Sequence, residues 1–334
     1  MWDAFEQVIT EVMAVSPRNL KISESIPEAE TMAITRVLLD GKSGKMSLPS
    51  GVAGGSYKAT IPLVRPSKLT SKRRGGIGKD LSEGWCLNFA VGCTHGCPFC
   101  YVDAIHKRFG GRYGKQTKRR WGDYFLAPSN LQSAIERTPW ERWRGKEVMM
   151  SSTHDPYLPA LAGAAREILE HALPAGVRLC IQTRSTLAAK DFDMIAEYDG
   201  QVRLQVSIAT MSRELSRKIE PRVPPPERRM KMLADAKQAG LRVGVIIAPV
   251  FPANRLRPDI GEDLAGIAAS LAEIGPDHVY GESLHARGEN IVLLESVLGE
   301  QIRLTNGFDV GVGKLFRQEL ERAGLKGVWW PAHK

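Results

Sequence analysis

No run of residues in this 334-residue chain is apolar for long enough to span a bilayer. The opening Met1-Trp2-Asp3-Ala4-Phe5-Glu6 is acidic and lacks the basic, then apolar, segment of an export signal. Together these absences predict a cytoplasmic protein with no membrane partner. Cysteine is sparse. There are five, three of them within eight residues, which excludes a disulfide framework and suits a reducing compartment. Internal repeats and low-complexity tracts are also missing. Apolar residues are not scarce: at 43% they suffice for the core of one large domain or two small ones.

The three bunched cysteines form Cys93-Thr94-His95-Gly96-Cys97-Pro98-Phe99-Cys100, a C-x3-C-x2-C triplet. Three thiolates at this spacing wrap one soft metal centre. They are one short of filling a cuboidal four-iron cluster, so one iron stays open to another ligand. Structural zinc is the alternative; it wants four closed ligands, and His95 lies inside the loop as a candidate fourth. That alternative leads to a non-catalytic, metal-binding nucleic-acid protein.

The triplet resembles that of the radical S-adenosylmethionine (SAM) enzymes, in which an aromatic residue precedes the third cysteine as Phe99 does here. The resemblance implies one four-iron, four-sulfur (4Fe–4S) cluster on Cys93, Cys97 and Cys100. It also implies SAM on the open iron, Phe99 beside the cofactor, and reductive cleavage of SAM to a 5′-deoxyadenosyl radical. Cys86 and Cys180 are single and far apart, too few for a second such cluster.

Acid is absent from two stretches. Residues 65–79 hold Arg65, Lys68, Lys72, Arg73, Arg74 and Lys79; residues 107–120 hold Lys107, Arg108, Arg112, Lys115, Lys118, Arg119 and Arg120. Without these, 33 basic residues remain against 37 acidic ones, so the formal charge of +9 resides in two segments that bracket the triplet. With Tyr113, Trp121, Tyr124 and Phe125 close by, the pattern predicts a polyanion footprint with stacking surfaces, centred on Lys118, Arg119 and Arg120. The same basic runs would also suit an acidic electron donor of the flavodoxin or ferredoxin type.

From residue 85 onward short apolar strands alternate with amphipathic helices. Strands are predicted at 85–91, 148–152, 177–183, 202–208, 241–248 and 278–280, and helices at 130–143, 161–172, 227–238, 261–274, 290–298 and 312–323. Six strand–helix units predict an α/β fold, a partial (β/α)6 barrel of TIM type with ligands at the strand C-terminal ends. The radical SAM resemblance implies the same architecture. The expected organisation is an N-terminal extension over residues 1–84, basic toward its end, a core over 85–300, and a C-terminal helix and tail over 301–334. The adjacent Trp329 and Trp330 are expected to dock on their own domain.

The predicted strand ends carry an ordered series: Ser151-Ser152-Thr153-His154-Asp155-Pro156-Tyr157, Gln182-Thr183-Arg184-Ser185, Val206-Ser207-Ile208-Ala209-Thr210, Ile219-Glu220-Pro221-Arg222 and Ala248-Pro249-Val250-Phe251-Pro252. Over residues 85–290 this series resembles the spore photoproduct lyase-like branch of the radical SAM proteins. SAM is a zwitterion carrying a ribose and an adenine. The reading therefore gives Arg184 the methionine carboxylate, Ser207 and Thr210 the ribose or carboxylate, and Ala248 and Val250 the adenine. Ser152, Thr153 and Asp155 follow the second strand, where the superfamily often binds the SAM amino group; no literal Gly-Gly-Glu occurs here. The competing reading makes these residues ordinary caps and loop groups. His285, Arg287 and Asn290, after the sixth strand, and Tyr101, after the last cysteine, are the candidates for contact with substrate.

One position departs from that branch. Spore photoproduct lyases carry a cysteine near the second strand that returns a hydrogen atom to the product, and matching the motifs puts Ser152 there. A serine O–H bond is too strong to replace the thiol. The expected activity is hydrogen-atom abstraction from a nucleic-acid or nucleotide substrate, for base modification or repair. Modification of a small metabolite or peptide is the alternative within the same chemistry.

Overall fold

The computed structural model describes residues 48–67 and 80–331. Lys68, Lys72, Arg73, Arg74 and Lys79 lie outside the described residues, as does most of the expected extension. Strands β1 (Ala53–Tyr57), β2 (Val64–Pro66) and β3 (Trp85–Leu87) come first, followed by helix α1 (Val102–Phe109) and β4 (Tyr124–Pro128). Next come α2 (Leu131–Glu136), β5 (Glu147–Met150), α3 (Ala162–Ala172), β6 (Arg178–Thr183), α4 (Phe192–Ala196) and β7 (Val202–Ser207). The chain continues through α5 (Arg213–Ile219), α6 (Pro226–Gln238), β8 (Arg242–Val250) and α7 (Ile260–Ile274). It ends with β9 (His278–Ser283), α8 (Asn290–Leu298), α9 (Phe308–Arg322) and β10 (Val328–Trp330). Among the described residues no helix is long and apolar enough to cross a membrane.

Two compact units divide these elements. Among the described residues the first comprises 48–67, 80–94, 105–182 and 200–202, the second 95–104, 183–199 and 203–331. In the first, β3 and β5 run parallel with Leu87 beside Met150, and β5 and β6 run parallel with Met149 beside Cys180. Leu87, Val148, Met150, Leu179 and Ile181 are fully buried, which is why these strands read as continuous apolar runs. The edge is closed by β2, antiparallel to β3. A separate parallel pair joins β1 to β4, with Gly55 opposite Leu126, where a Cβ would stand 2.5 Å from the Leu126 Cδ2.

In the second unit β7, β8, β9 and β10 are paired in that order, all parallel. Helix α7 starts where the Asp259 side chain accepts from the Gly261 and Glu262 amides at 2.7 and 3.0 Å, and stops at Gly275 with φ 65°. The tail tryptophans dock. Trp330 stacks on Tyr280 with ring centroids 4.7 Å apart, and Trp329 Nε1 donates to Asp309 at 3.2 Å.

Three expectations need correction. The strand predicted over 85–91 stops at Leu87, and the next residues form a loop tied back by the Val91–Leu126 bridge. The helix predicted over 130–143 breaks: α2 ends at Glu136, Thr138 Oγ1 donates to the Ala134 carbonyl at 2.6 Å, and Pro139 lacks the N–H needed to continue. Of the aromatics expected to stack on a polyanion, Trp121, Tyr124 and Phe125 are at most 4% exposed, packed in the first unit's core with His106. Their apolar area is spent on folding, leaving only Tyr113 of the four partly accessible.

Candidate active site

The first unit carries β3 up to the triplet. Gly92 turns the chain with φ 90°, and a Cβ there would meet the Tyr124 carbonyl oxygen at 2.5 Å, so only glycine fits beside this strand. Cys93 follows, buried. At the end of β5, Ser152 accepts from the Cys86 thiol at 3.2 Å and from the Asn88 amide at 3.2 Å, while its own backbone N–H donates to Asn88 Oδ1 at 3.0 Å. Burial pushes the Cys86 thiol up to about 11, so it stays protonated near neutrality. His154 packs edge-on against Phe89; burial, then the neighbouring His106, pushes its imidazole down to about 3, so it is neutral. Asp155 Oδ1 accepts from the Tyr157 amide at 2.9 Å, a local turn contact that matches the capping alternative. Thr153 is half-buried, its amide bonded to Ser151 Oγ at 3.3 Å.

The second unit holds the other half of the triplet. Cys97 is buried and Cys100 half-buried, and the Cys100 amide donates to the Cys97 carbonyl at 3.1 Å as the loop winds into α1. Both belong to an apolar cluster with Phe99, Ala209, Phe251, Leu284 and Leu294. The Phe99 ring is the hub. Phe251 meets it edge to face at 5.5 Å, and the Arg184 guanidinium carbon stands 5.2 Å from its centroid. The Phe99 carbonyl accepts from Asn290 Nδ2 at 3.2 Å, which binds the loop after β9 to the cysteine loop.

Arg184 leaves the end of β6 and reaches two partners, Glu220 Oε1 at 2.7 Å and the Ala248 carbonyl at 3.0 Å. Arg184 thereby takes one lone pair of the carbonyl of Ala248, the residue expected beside adenine. Glu220 is fully buried and also receives Arg229, itself 0% exposed, and Ser216 Oγ at 3.0 Å. Burial pushes the Glu220 carboxyl up, but Arg229 and Arg184 outweigh it and hold it below the usual range. Arg229 also donates to the Ser207 carbonyl, pinning the end of β7. Thr210 is fully buried, its hydroxyl accepting from the Ser212 amide at 3.0 Å. Val250 is buried, and its carbonyl accepts from Leu284 N at 2.9 Å.

Of the residues proposed to touch substrate, Tyr101 is 40% exposed, so it is not a core residue. His285 and Arg287 are half-buried, and Asn290 is buried with its side chain spent on the Phe99 and His285 carbonyls. Lys118, Arg119 and Arg120 are exposed on the first unit. Sequence reasoning gave no role to Glu220, Arg229 or Glu282. Arg229 had a legible signal: with Met232, Leu233 and Ala236 it falls on the buried stripe of α6, where an arginine needs a buried acid.

Among the described residues no group of three His, Cys, Asp or Glu side chains is gathered closely enough to enclose a metal ion. The donor chemistry nonetheless suits an iron–sulfur cluster: three free cysteine thiols within eight residues, two of them, Cys97 and Cys100, set in apolar surroundings. Burial pushes the Cys100 thiol up to about 11, so a bound cation is what would hold it as thiolate.

Strand–helix units with parallel strands, and loops of cofactor-type residues at the strand ends, define an α/β fold of the partial TIM-barrel kind. A family model described as the radical SAM superfamily matches residues 87–258, and the chain belongs to that superfamily. It is a radical SAM enzyme, with a 4Fe–4S cluster and SAM as its cofactors. Its relatives include an uncharacterized protein of Acidianus two-tailed virus, 55% identical over 280 residues, covering 84% of this chain and 93% of that one. An uncharacterized protein of Mycobacterium tuberculosis is 29% identical over 217 residues, 61% of this chain and 59% of that one. Among solved structures, spore photoproduct lyase complexed with dinucleoside spore photoproduct superposes with a TM-score of 0.59 at 14% identity, over 87% of this chain and 86% of that one. A double mutant of that lyase, with bound AdoMet and the dinucleoside, gives 0.58 at 14% identity over 98% and 92%. The likeness extends to the spore photoproduct lyase-like fold.

Proposed function

We propose that this enzyme removes a hydrogen atom from a nucleic-acid or nucleotide substrate in order to modify or repair a base. The observation that carries the reading is the second basic run: Lys107, Arg108, Lys115, Lys118, Arg119 and Arg120 are all exposed on the first unit. Acid-free surface of this kind suits a phosphate backbone. The solved lyases with a dinucleoside support the same substrate class.

Cys93, Cys97 and Cys100 would hold the cluster, and the bound cluster and SAM supply the one-electron chemistry. The chain's own part is orientation and exclusion of water. Phe99, between Arg184 and Phe251, covers the cysteine loop with apolar surface. Arg184, its side chain 18% exposed and braced by buried Glu220, presents a fixed positive charge to the SAM carboxylate. Ser207, Thr210, Ala248 and Val250 line the same unit's strand ends. Ser152, with Thr153 and Asp155, offers hydroxyl and carboxylate groups for the SAM amino end in the first unit.

Ser152 gives no thiol at the position where the lyases use one, so reversal of a lesion by their route is not the expected reaction. The test is anaerobic incubation of reconstituted protein with SAM, a reductant and single-stranded or duplex DNA or RNA, followed by mass analysis of the nucleosides. A new nucleoside that depends on SAM supports the reading; SAM cleavage with every polymer, and every free nucleotide added in parallel, left unchanged refutes it.

A further inference from the structure

The thiol of Cys86, in β3, has no part in the chemistry described so far. Its neighbour Trp85 meets Trp143, in the crossover before β5, edge to face at 5.8 Å. Successive strand residues face opposite ways, so Cys86 points to the other side of the sheet, away from that crossover. There its Sγ lies 3.2 Å from Ser152 Oγ, at the end of β5, and 3.5 Å from Asn88 Oδ1. Asn88 clamps the serine in turn, its Oδ1 accepting from the Ser152 amide at 3.0 Å and its Nδ2 donating to the Ser152 hydroxyl at 3.2 Å. Asn88 and Thr153 are half-buried, so this cluster borders accessible space at the strand ends. Of the other four cysteines, three are the cluster ligands, and Cys180 stands level with Cys86 two strands away, with Met149 between them.

Resting on the nucleic-acid reading above, we propose that Cys86 is the hydrogen-atom donor that closes the reaction, with Ser152 and Asn88 holding its S–H in place. Abstraction leaves a carbon radical on the substrate, and a closed-shell product forms only when that radical gains a hydrogen atom or loses an electron. The Ser152 O–H and the Asn88 N–H are too strong to give one up to carbon, whereas a thiol S–H is weaker than the C–H bond it forms. The atoms and electrons balance. The substrate C–H bond breaks and its hydrogen goes to the 5′-deoxyadenosyl radical. The substrate radical, once it has rearranged or fragmented, takes hydrogen from Cys86, so that one S–H bond breaks, one C–H bond forms and a thiyl radical is left. One electron from the one-electron reductant that also feeds the cluster, with one proton from water, restores the thiol. Burial keeps Cys86 protonated near neutrality, the form that has a hydrogen atom to give. The hydrogen would come from the first core strand, whereas the lyases use a thiol near the second, so this is a separate route to product.

The experiment repeats the anaerobic incubation of the reconstituted full chain in heavy water, with a thiol-free chemical reductant, and reads carbon-bound deuterium in the new nucleoside by mass. In heavy water the Cys86 S–H becomes S–D, so the product of the parent should carry a deuterium on carbon. Cys86→Ala should lose that label, and Cys180→Ala should keep it. A labelled product from Cys86→Ala would overturn the assignment, since the hydrogen would then come from another donor. An unlabelled product from the parent overturns it too, and decides the matter even if Cys86→Ala does not fold. A second measurement needs no turnover: the infrared difference between parent and Cys86→Ala at pH 9 should show an S–H stretching band, displaced in Ser152→Ala. Absence of that band would mean a thiolate with no hydrogen to give, and the assignment would fail. Failure of the parent to alter any polymer or nucleotide while it cleaves SAM would instead sink the nucleic-acid reading, and this role for Cys86 with it.

Discussion

The Asn290 side chain donates one hydrogen bond to the Phe99 carbonyl at 3.2 Å and another to the His285 carbonyl at 2.8 Å, joining segments 191 positions apart in the chain. The bond lies between two of the cysteines, so the loop after the last core strand braces the loop that carries the cluster ligands. Asn290→Ala should leave both carbonyls without this donor and cost about 1–3 kcal/mol in a buried setting. Reconstituted protein is expected to fold, and to lose iron to a chelator several-fold faster than the parent. Iron release at the parent rate would show that the bond serves the fold alone.

Cys93→Ala, Cys97→Ala and Cys100→Ala are each expected to abolish cluster absorbance and reductive SAM cleavage. Cys86→Ala and Cys180→Ala should retain both, because Cys180 is buried in β6 and the Cys86 thiol is occupied with Ser152 and Asn88. Formation of 5′-deoxyadenosine by Cys97→Ala would contradict the ligand assignment.

Arg184 and Arg229 share Glu220 but should separate in experiment. Arg229→Met leaves a fully buried carboxylate with one fewer cation and should cost about 3–5 kcal/mol in chemical denaturation. Arg184→Ala leaves the Arg229 and Ser216 contacts in place, so the fold should hold while SAM affinity falls by about 2–4 kcal/mol. Equal SAM affinity in parent and Arg184→Ala would reduce Arg184 to a strut for β8.

Glu220 also predicts an acid limb. Its carboxyl is held below its unfolded value of about 4.3, so its contribution to stability is complete above that value and is lost as pH falls through the lower folded one. Denaturation midpoints of the parent should therefore drop on acidification below about pH 4. Glu220→Gln, less stable at neutrality, should show a shallower drop. Parallel curves for the two proteins would mean that other carboxylates set the acid limb.

Neutralising Lys118, Arg119 and Arg120 together should weaken nucleic-acid binding and flatten its salt dependence, by roughly 0.7–0.9 in log–log slope for each phosphate no longer paired with a cation. A different result, little binding by the parent and slower reduction of the triple variant by flavodoxin but not by a chemical reductant, would assign this face to an electron donor.

Much of this enzyme is written locally. The triplet is a contiguous loop, and apolar runs at the length of buried strands, separated by helical periods, mark β5 through β9 because parallel strands bury both faces. The helices predicted over 227–238 and 261–274 lie within a residue of α6 and α7. Tertiary structure alone decided the rest. Three-residue strands such as β2 and β10 carry too little pattern to announce themselves, and exist because a neighbouring strand offers its edge. Trp121 and Tyr124 look like stacking surface in sequence, yet burial of their area in the first unit's core outweighs exposure. Glu220, Arg229 and Arg184 lie far enough apart in sequence that only the packing of α5, α6 and the end of β6 makes them one network. Hydrophobic period and metal-ligand spacing are local properties of a chain, whereas the partner of a buried charge is chosen by whichever element folds against it.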